Sequence, residues 1–163
     1  MSAAAAYLEL AGRLADASGD VIRRHFRNLP DVSDKVDASP VTIADQQAEE
    51  VMRALLEIDC PDHGILGEEG ENVRQGADYL WVLDPIDGTK NFASGSHQFG
   101  TLISLLMDGA PILGIINQPV LGERWFGLAG ETTMFNGQPI HTRACPALAD
   151  AWMYSTNPAM FQG

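Results

Sequence analysis

Between residues 99 and 141 the chain is a close succession of short β-like runs, over 99–107, 112–118, 124–128, 132–135 and 138–141. Little separates them: the junctions are Asp108-Gly109, Leu121-Gly122, Ala129-Gly130 and Asn136-Gly137. Asn-Gly and Asp-Gly suit two-residue hairpin turns, whose backbone needs positive φ at both central positions. Links this short exclude a parallel crossover, which takes about a dozen residues. The stretch is therefore held to an antiparallel meander, and the rest of the chain must cover it.

Upstream, the pattern is helical. Tyr7, Ala11, Leu14, Ser18, Ile22 and His25 recur at steps of three or four, and Leu10, Ala17 and Val21 widen that face. A helix is predicted to about Phe26, with Pro30 beyond its end. Residues 31–40, with Asp31, Asp34, Lys35 and Asp37, lack periodicity and are predicted as a mobile loop. A second helix is expected from about Thr42, with Ala48, Val51, Leu55 and Ile58 as its apolar face and Pro61 closing it. A short β run over 79–83 should stop at Pro85, which has no N–H for a ladder. The expected fold class is α+β, with the helices on one face of an antiparallel meander.

Charge narrows the partners. Lys and Arg number 10 against 22 Asp and Glu, a net −12. Nucleic acid and anionic membrane surfaces both need a positive face, so neither is an expected partner. No apolar run reaches the roughly 18 residues of a membrane span. The first twenty residues lack the basic start of a secretory signal and carry Glu9 and Asp16. Cys60 and Cys145 are far apart and form no CxxC, so reduced thiols and a cytoplasmic location are expected. His25, His63, His97 and His141 show no metal-ligand spacing and are expected at the surface or in packing.

One segment combines features that packing alone does not explain: Trp81-Val82-Leu83-Asp84-Pro85-Ile86-Asp87-Gly88-Thr89. An apolar strand ends in a carboxylate, a proline bends the chain, and a second carboxylate follows. Asp87 could serve only as a helix N-cap, but that leaves Asp84 at the strand mouth unexplained. An Asp-x-Asp pair, as in haloacid-dehalogenase-type phosphatases, places both acids on one face of an extended chain. Asp-x-x-Asp needs a bend at Pro85-Ile86 before the two converge, which disfavours a nucleophilic aspartate. Converging hard carboxylates suit Mg²⁺, which takes oxygen ligands at about 2.0–2.1 Å and retains waters.

Two further acids lie upstream. In Gly67-Glu68-Glu69-Gly70, Glu69 reads as solvated, while Glu68 follows the apolar pair Ile65-Leu66 and can turn inward. Asp45, in Thr42-x-x-Asp45, either completes a capping box or points from the first helical turn into the same cleft.

These motifs together resemble the inositol monophosphatase family of metal-dependent, lithium-sensitive phosphatases. Asp84-Pro85-Ile86-Asp87-Gly88-Thr89 is similar to its signature, Gly67-Glu68-Glu69 to its upstream metal motif, and the stretch from Ser39 to Asp45 to its helix-opening motif. Phe99 to Leu106, Gln118 to Trp125 and Ser155 to Phe161 resemble the histidinol-phosphate phosphatase branch.

The resemblance implies the first half of a layered αβαβα sugar-phosphatase fold, with residues 1–148 as a metal-binding half and 149–163 as the first strand of a second half. It implies Glu68, Asp84 and Asp87 as metal ligands with the Ile86 carbonyl, and two or three Mg²⁺ ions. Gly88 and Thr89 would present N–H groups to phosphate, and the Thr89 hydroxyl, held by Asp45, would polarise the attacking water; Glu68, Thr89 and Asp45 are thus the implied catalytic group. Lys35 and Asp37 would lie in a loop closing near the site. The implied reaction is hydrolysis of a small phosphate monoester, L-histidinol phosphate first and inositol phosphates second, in a possible homodimer. The family's second half carries a Trp-Asp motif. Trp81, Trp125 and Trp152 are the tryptophans here and none precedes Asp. Impaired activity of these 163 residues, or a non-catalytic metal-binding remnant, is the corresponding expectation, together with a sheet face left without cover. No GxSxG elbow or P-loop is present.

Overall fold

The computed structural model describes residues 3–28, 32–34 and 40–154. Helix α1 (Ala3–His25) and helix α2 (Ile43–Asp59) pack against each other and on one face of a seven-stranded sheet. The sheet runs β3 (Gly64–Gly67), β4 (Tyr79–Asp87), β5 (Gly100–Met107), β6 (Ala110–Gln118), β7 (Glu123–Leu128), β8 (Met134–Phe135) and β9 (Gln138–Pro139), in that spatial order. From β4 onward every pairing is antiparallel. The tight turns form as their residues require: Asp108 and Gly109 have φ of 51° and 77°, Asn136 and Gly137 of 46° and 79°. The α+β class and the meander with helices on one face therefore hold.

Three elements differ from expectation. The segment expected as a loop contains a small antiparallel hairpin, β1 (Val32–Asp34) with β2 (Pro40–Thr42). Strands of three residues are too short to register as periodicity. Strand β3 pairs parallel to β4, the one parallel pairing in the sheet, and the stretch 68–78 makes its crossover. Strand β4 does not stop at Pro85 but continues to Asp87 through a register shift between Asp84 and Asp87. The shift removes Pro85 from the ladder, and its carbonyl accepts a hydrogen bond from the Thr101 hydroxyl at 2.8 Å.

The strand expected over 151–155 is not formed at residues 151–154, which pair with no strand; Ser155 lies outside the described residues. Trp152, Met153 and Tyr154 are exposed there. The Arg143 guanidinium lies 5.2 Å over the Trp152 ring, and Tyr154 meets the Gln98 side chain.

Alternation along the strands builds the main core. Trp81 and Leu83 of β4, Ile103 and Leu105 of β5, and Leu113 and Ile115 of β6 face the helices. They meet Leu10, Ala11, Leu14 and Ala15 of α1 and Met52 and Leu56 of α2. The α1 stripe matches the expected one, with Ala11, Leu14, Ser18 and Ile22 all fully buried. The α2 stripe does not. Its buried residues are Ala44, Asp45, Ala48, Glu49, Met52 and Leu56, while Ile58 is 76% exposed. Of the expected residues Ala48 is buried, Val51 and Leu55 are half-buried against the two clusters, and Ile58 falls outside; the stripe is shifted because it includes two carboxylates, which a count of apolar residues cannot register.

A second cluster, Val21, Ile22, Ala44, Ala48, Ile86, Phe92 and Phe99, joins the helices to the end of β4. Among the described residues the opposite sheet face is open. Val82, Leu102, Ile116 and Trp125 line a hollow of about 520 Å³ on it, and Asp84 stands among them. Among the described residues no helix is long and apolar enough to cross a membrane, and Cys60 and Cys145 are both free thiols.

Candidate metal and phosphate site

The irregularity in β4 makes the site. On a regular strand Asp84 and Asp87, three residues apart, would point to opposite faces. Asp84 pairs with Leu102 and Asp87 with Gly100, so three steps on β4 span two on β5. The extra residue is a bulge, and it restores the parity. Leu102 and Gly100 share a face, and the two aspartates share it with them. Ile86 is thereby turned to the helix side, where it is 1% exposed and anchors the second cluster. The bend expected at Pro85-Ile86 is this bulge.

After Asp87 the chain turns at Gly88, whose φ of 99° and ψ of 37° lie in the left-handed region. A Cβ there would stand 3.0 Å from the Gln98 carbonyl oxygen and 3.3 Å from Phe99 Cα. Glycine is required on both counts. The turn opens the short helix α3 (Thr89–Ala93), with Gly88 as its N-cap and no side-chain cap. Asp87 is thus not the cap, and the competing explanation for that residue falls away.

Asp45 does both of the things open to it. The capping box is formed: Asp45 Oδ2 accepts from the Thr42 backbone N–H at 2.8 Å and from the Thr42 hydroxyl at 2.5 Å. Its other oxygen, Oδ1, stands 3.4 Å from the Thr89 hydroxyl. That hydroxyl also lies 3.1 Å from the Ile86 carbonyl oxygen. Asp45, Ile86 and Thr89 therefore lie together in space. Lys35 and Asp37 lie outside the described residues.

Glu68 is exposed and Glu69 half-buried, the reverse of the expected pair, yet the electrostatics tie in Glu68. Asp84 is half-buried, and its carboxyl is pushed up to about 7, first by burial, then by the charge of Glu68 and a hydrogen bond with it, then by Asp87 and Asp45. Asp45 is also raised, chiefly by burial, against the lowering effect of its Thr42 hydrogen bonds. Neighbouring carboxylates disfavour one another's charged form, which a bound cation would relieve. Asp84 Oδ1 is buried without a hydrogen-bond partner. Such an orphan acceptor is costly unless something electropositive meets it.

Among the described residues no three or more His, Cys, Asp and Glu side chains close around one point. The acids are near enough to perturb one another without forming a finished cage. Hard oxygen donors, an orphan acceptor and raised neighbouring carboxyls fit a divalent cation such as Mg²⁺.

Sequence reasoning missed Glu49. It is buried on α2, one turn beyond Asp45, and faces the loop that carries Glu68. The step of four from Asp45 was the available signal.

Fold and site first define a class: an α+β protein with acids gathered at a bulged strand end beside a helix N-terminus, suited to a cation and not to bare anion contact. Relatives narrow it. The model of the inositol monophosphatase family matches residues 4–159. The chain is 56% identical over 150 residues to bifunctional phosphatase IMPL2, chloroplastic, of Arabidopsis thaliana, an overlap of 91% of this chain and 43% of that protein. It is 39% identical to a histidinol-phosphatase of Chlorobaculum parvum, over 84% of this chain and 53% of that one. A solved inositol monophosphatase from Zymomonas mobilis, described for a flexible region at its active site, superposes with a TM-score of 0.78 at 53% identity, covering 91% of this chain and 57% of that one.

This chain belongs to the inositol monophosphatase family, whose members are metal-dependent phosphatases. It spans about half the length of the relatives it matches.

Proposed function

We propose that this chain carries the metal-binding half of a Mg²⁺-dependent phosphate monoester hydrolase. The observation that carries the reading is the bulge in β4. It turns Asp84 and Asp87 to one face, beside Glu68, and leaves a buried Asp84 oxygen unpartnered. Glu68, Asp84 and Asp87 would hold the metal, with the Ile86 carbonyl. When bound, Mg²⁺ supplies charge neutralisation for the phosphate and the leaving oxygen and lowers the pKa of bound water.

The chain's own residues do the rest. Gly88 and Thr89 offer backbone N–H groups to a phosphate oxygen at the start of α3. Asp45, fixed by its capping box, stands 3.4 Å from the Thr89 hydroxyl, which lies nearer the Ile86 carbonyl at 3.1 Å; by taking that hydroxyl's proton Asp45 would orient the oxygen's lone pairs toward the attacking water. Asp45 and Thr89 would thus serve as base and relay, with Glu68 as a ligand of the metal that activates the water. A chain at −12 repels a phosphate dianion, so cation-mediated binding agrees with its composition.

L-histidinol phosphate is the first substrate in this reading and inositol phosphate the second. The names of the Chlorobaculum and Zymomonas relatives support one each. Residues 1–148 would form the metal-binding half and 149–163 open a second α/β half. Phosphate release from both substrates with Mg²⁺ tests the reading. Asp87→Asn, in a protein containing this chain and its second half, should abolish Mg²⁺-dependent turnover. Undiminished turnover would sink the site assignment, and robust turnover by the 163 residues alone would reject the need for a second half.

A further inference from the structure

Glu49 is 1% exposed, yet no apolar contact explains a carboxylate at that position. Its two oxygens are spent on one loop. Oε2 accepts the Glu69 backbone N–H at 2.8 Å, and Oε1 accepts the Gly70 N–H at 2.8 Å and Arg53 Nε at 2.6 Å. Arg53 Nη1 in turn donates to the Glu71 carbonyl at 2.9 Å. Arg53 Nη2 is buried without a hydrogen-bond partner. An ordinary i,i+4 ion pair on a helix faces water and reaches nothing else. This one is buried and reaches across to the loop after β3.

The glycines flanking the loop fit the same purpose. A Cβ on Gly67 would collide with the Glu49 carboxylate and the Arg53 guanidinium. A Cβ on Gly70 would stand 2.8 Å from Arg53 Nε and 2.9 Å from Glu49 Oε1. A side chain at either position would push the Glu49–Arg53 pair out of its present place. Glu68 sits between anchored neighbours, since the Gly67 N–H donates to Asn72 Oδ1 at 3.1 Å and the Glu69 N–H is held by Glu49. The helix that holds the loop also carries Asp45.

We propose that Glu49, backed by Arg53, is a positioning residue: it clamps the loop carrying Glu68 to the helix carrying Asp45 and so sets the site's affinity for a divalent cation. The proposal rests on the reading that Glu68 belongs to a cation site. It adds residues that touch neither metal nor substrate.

Two measurements on the 163-residue chain test it: amide hydrogen exchange at Glu69 and Gly70 by NMR, and Mn²⁺ binding by electron paramagnetic resonance. In Glu49→Ala, exchange of both amides should rise at least ten-fold while that of Leu105 in β5 stays unchanged. The Mn²⁺ dissociation constant should rise by roughly ten- to a hundred-fold, as when partners behind a metal ligand are lost. Glu49→Gln keeps one acceptor oxygen and should protect one amide and give intermediate affinity. Gly67→Ala, which displaces the pair by collision, should reproduce Glu49→Ala, and it decides the matter if that variant fails to fold. Unchanged exchange at both amides would overturn the clamp. Faster exchange with unchanged Mn²⁺ affinity would overturn its link to the site. A wild-type chain that binds no Mn²⁺ while its Glu69 and Gly70 amides are protected would remove the cation site itself, and the proposal with it, and would separate that failure from failure of the clamp.

Discussion

Asp84 bears most of the electrostatic strain in the metal-free protein. Its carboxyl titrates at about 7, against an ordinary value of 3.8. Between those two values the folded chain holds a proton that the unfolded chain has released. Stability of the metal-free protein therefore falls as pH rises from about 4 to about 7 and levels off above. Asp84→Asn removes that penalty. The metal-free variant is expected to melt above wild type at pH 8, with the difference shrinking toward pH 5. Mg²⁺ should raise the melting temperature of wild type and not of the variant. Thermal scans at both pH values, with Mg²⁺ and with chelator, check all three. Gly88 is the neighbouring backbone constraint. Gly88→Ala forces a Cβ into a left-handed turn already crowded by Gln98 and Phe99. It should cost about 1–3 kcal/mol in urea unfolding, the range for a strained backbone position.

Among the elements, β4 and α2 carry the site, and both depart from what periodicity alone describes. The bulge in β4 is held from the side by the Thr101 hydroxyl on the Pro85 carbonyl. Thr101→Val keeps the shape and leaves that buried carbonyl without its partner. A loss of about 1–3 kcal/mol by denaturant unfolding is expected, with weaker Mg²⁺ binding by calorimetry as Asp87 drifts from Asp84. Helix α2 was legible as a helix, with its Thr42 start and its end before Pro61, because capping and length are local properties. Its buried face was not. Asp45 and Glu49 lie on the inward stripe because their oxygens are satisfied by Thr42, Thr89, Arg53 and loop N–H groups. Thr42 and Arg53 are local to α2, as its cap and as the i+4 neighbour of Glu49, but Thr89 and the loop N–H groups lie farther along the chain, where no pattern within α2 announces them. Strand β3 was missed for a similar reason: Ile65-Leu66 is too short to declare a strand, and its pairing with β4 is parallel and nonlocal.

The protein as a unit has one covered sheet face and one open face. The covered face follows from the apolar stripe of α1 and the alternation of β4 to β6. Leu14 is fully buried there, and Leu14→Ala should cost about 2–5 kcal/mol. The open face presents Val82, Leu102, Ile116 and Trp125 around the hollow beside Asp84, and Ile116 is 50% exposed. Continuous apolar surface of this kind promotes association. The chain is expected to self-associate with rising concentration in sedimentation velocity, and Ile116→Lys should reduce this. Ile58→Lys, at an isolated exposed position on α2, should leave association unchanged. Equal effects from both variants would locate the association elsewhere.

The order of the acidic motifs, the glycine turns and the length of each link are local facts of covalent connection. They are sufficient for an α+β meander and for naming Asp45, Glu68, Asp84 and Asp87 as candidates, while Thr89 comes from the family resemblance. Convergence of those residues depends on register and on which helix face is buried. The register shift opposite Gly100 and Leu102 turns Asp87 to the side of Asp84. The packing of α2 brings Asp45 to Thr89 and Glu49 to the Glu68 loop. Pairing and packing are chosen by partners far along the chain, and so only the folded protein could decide them.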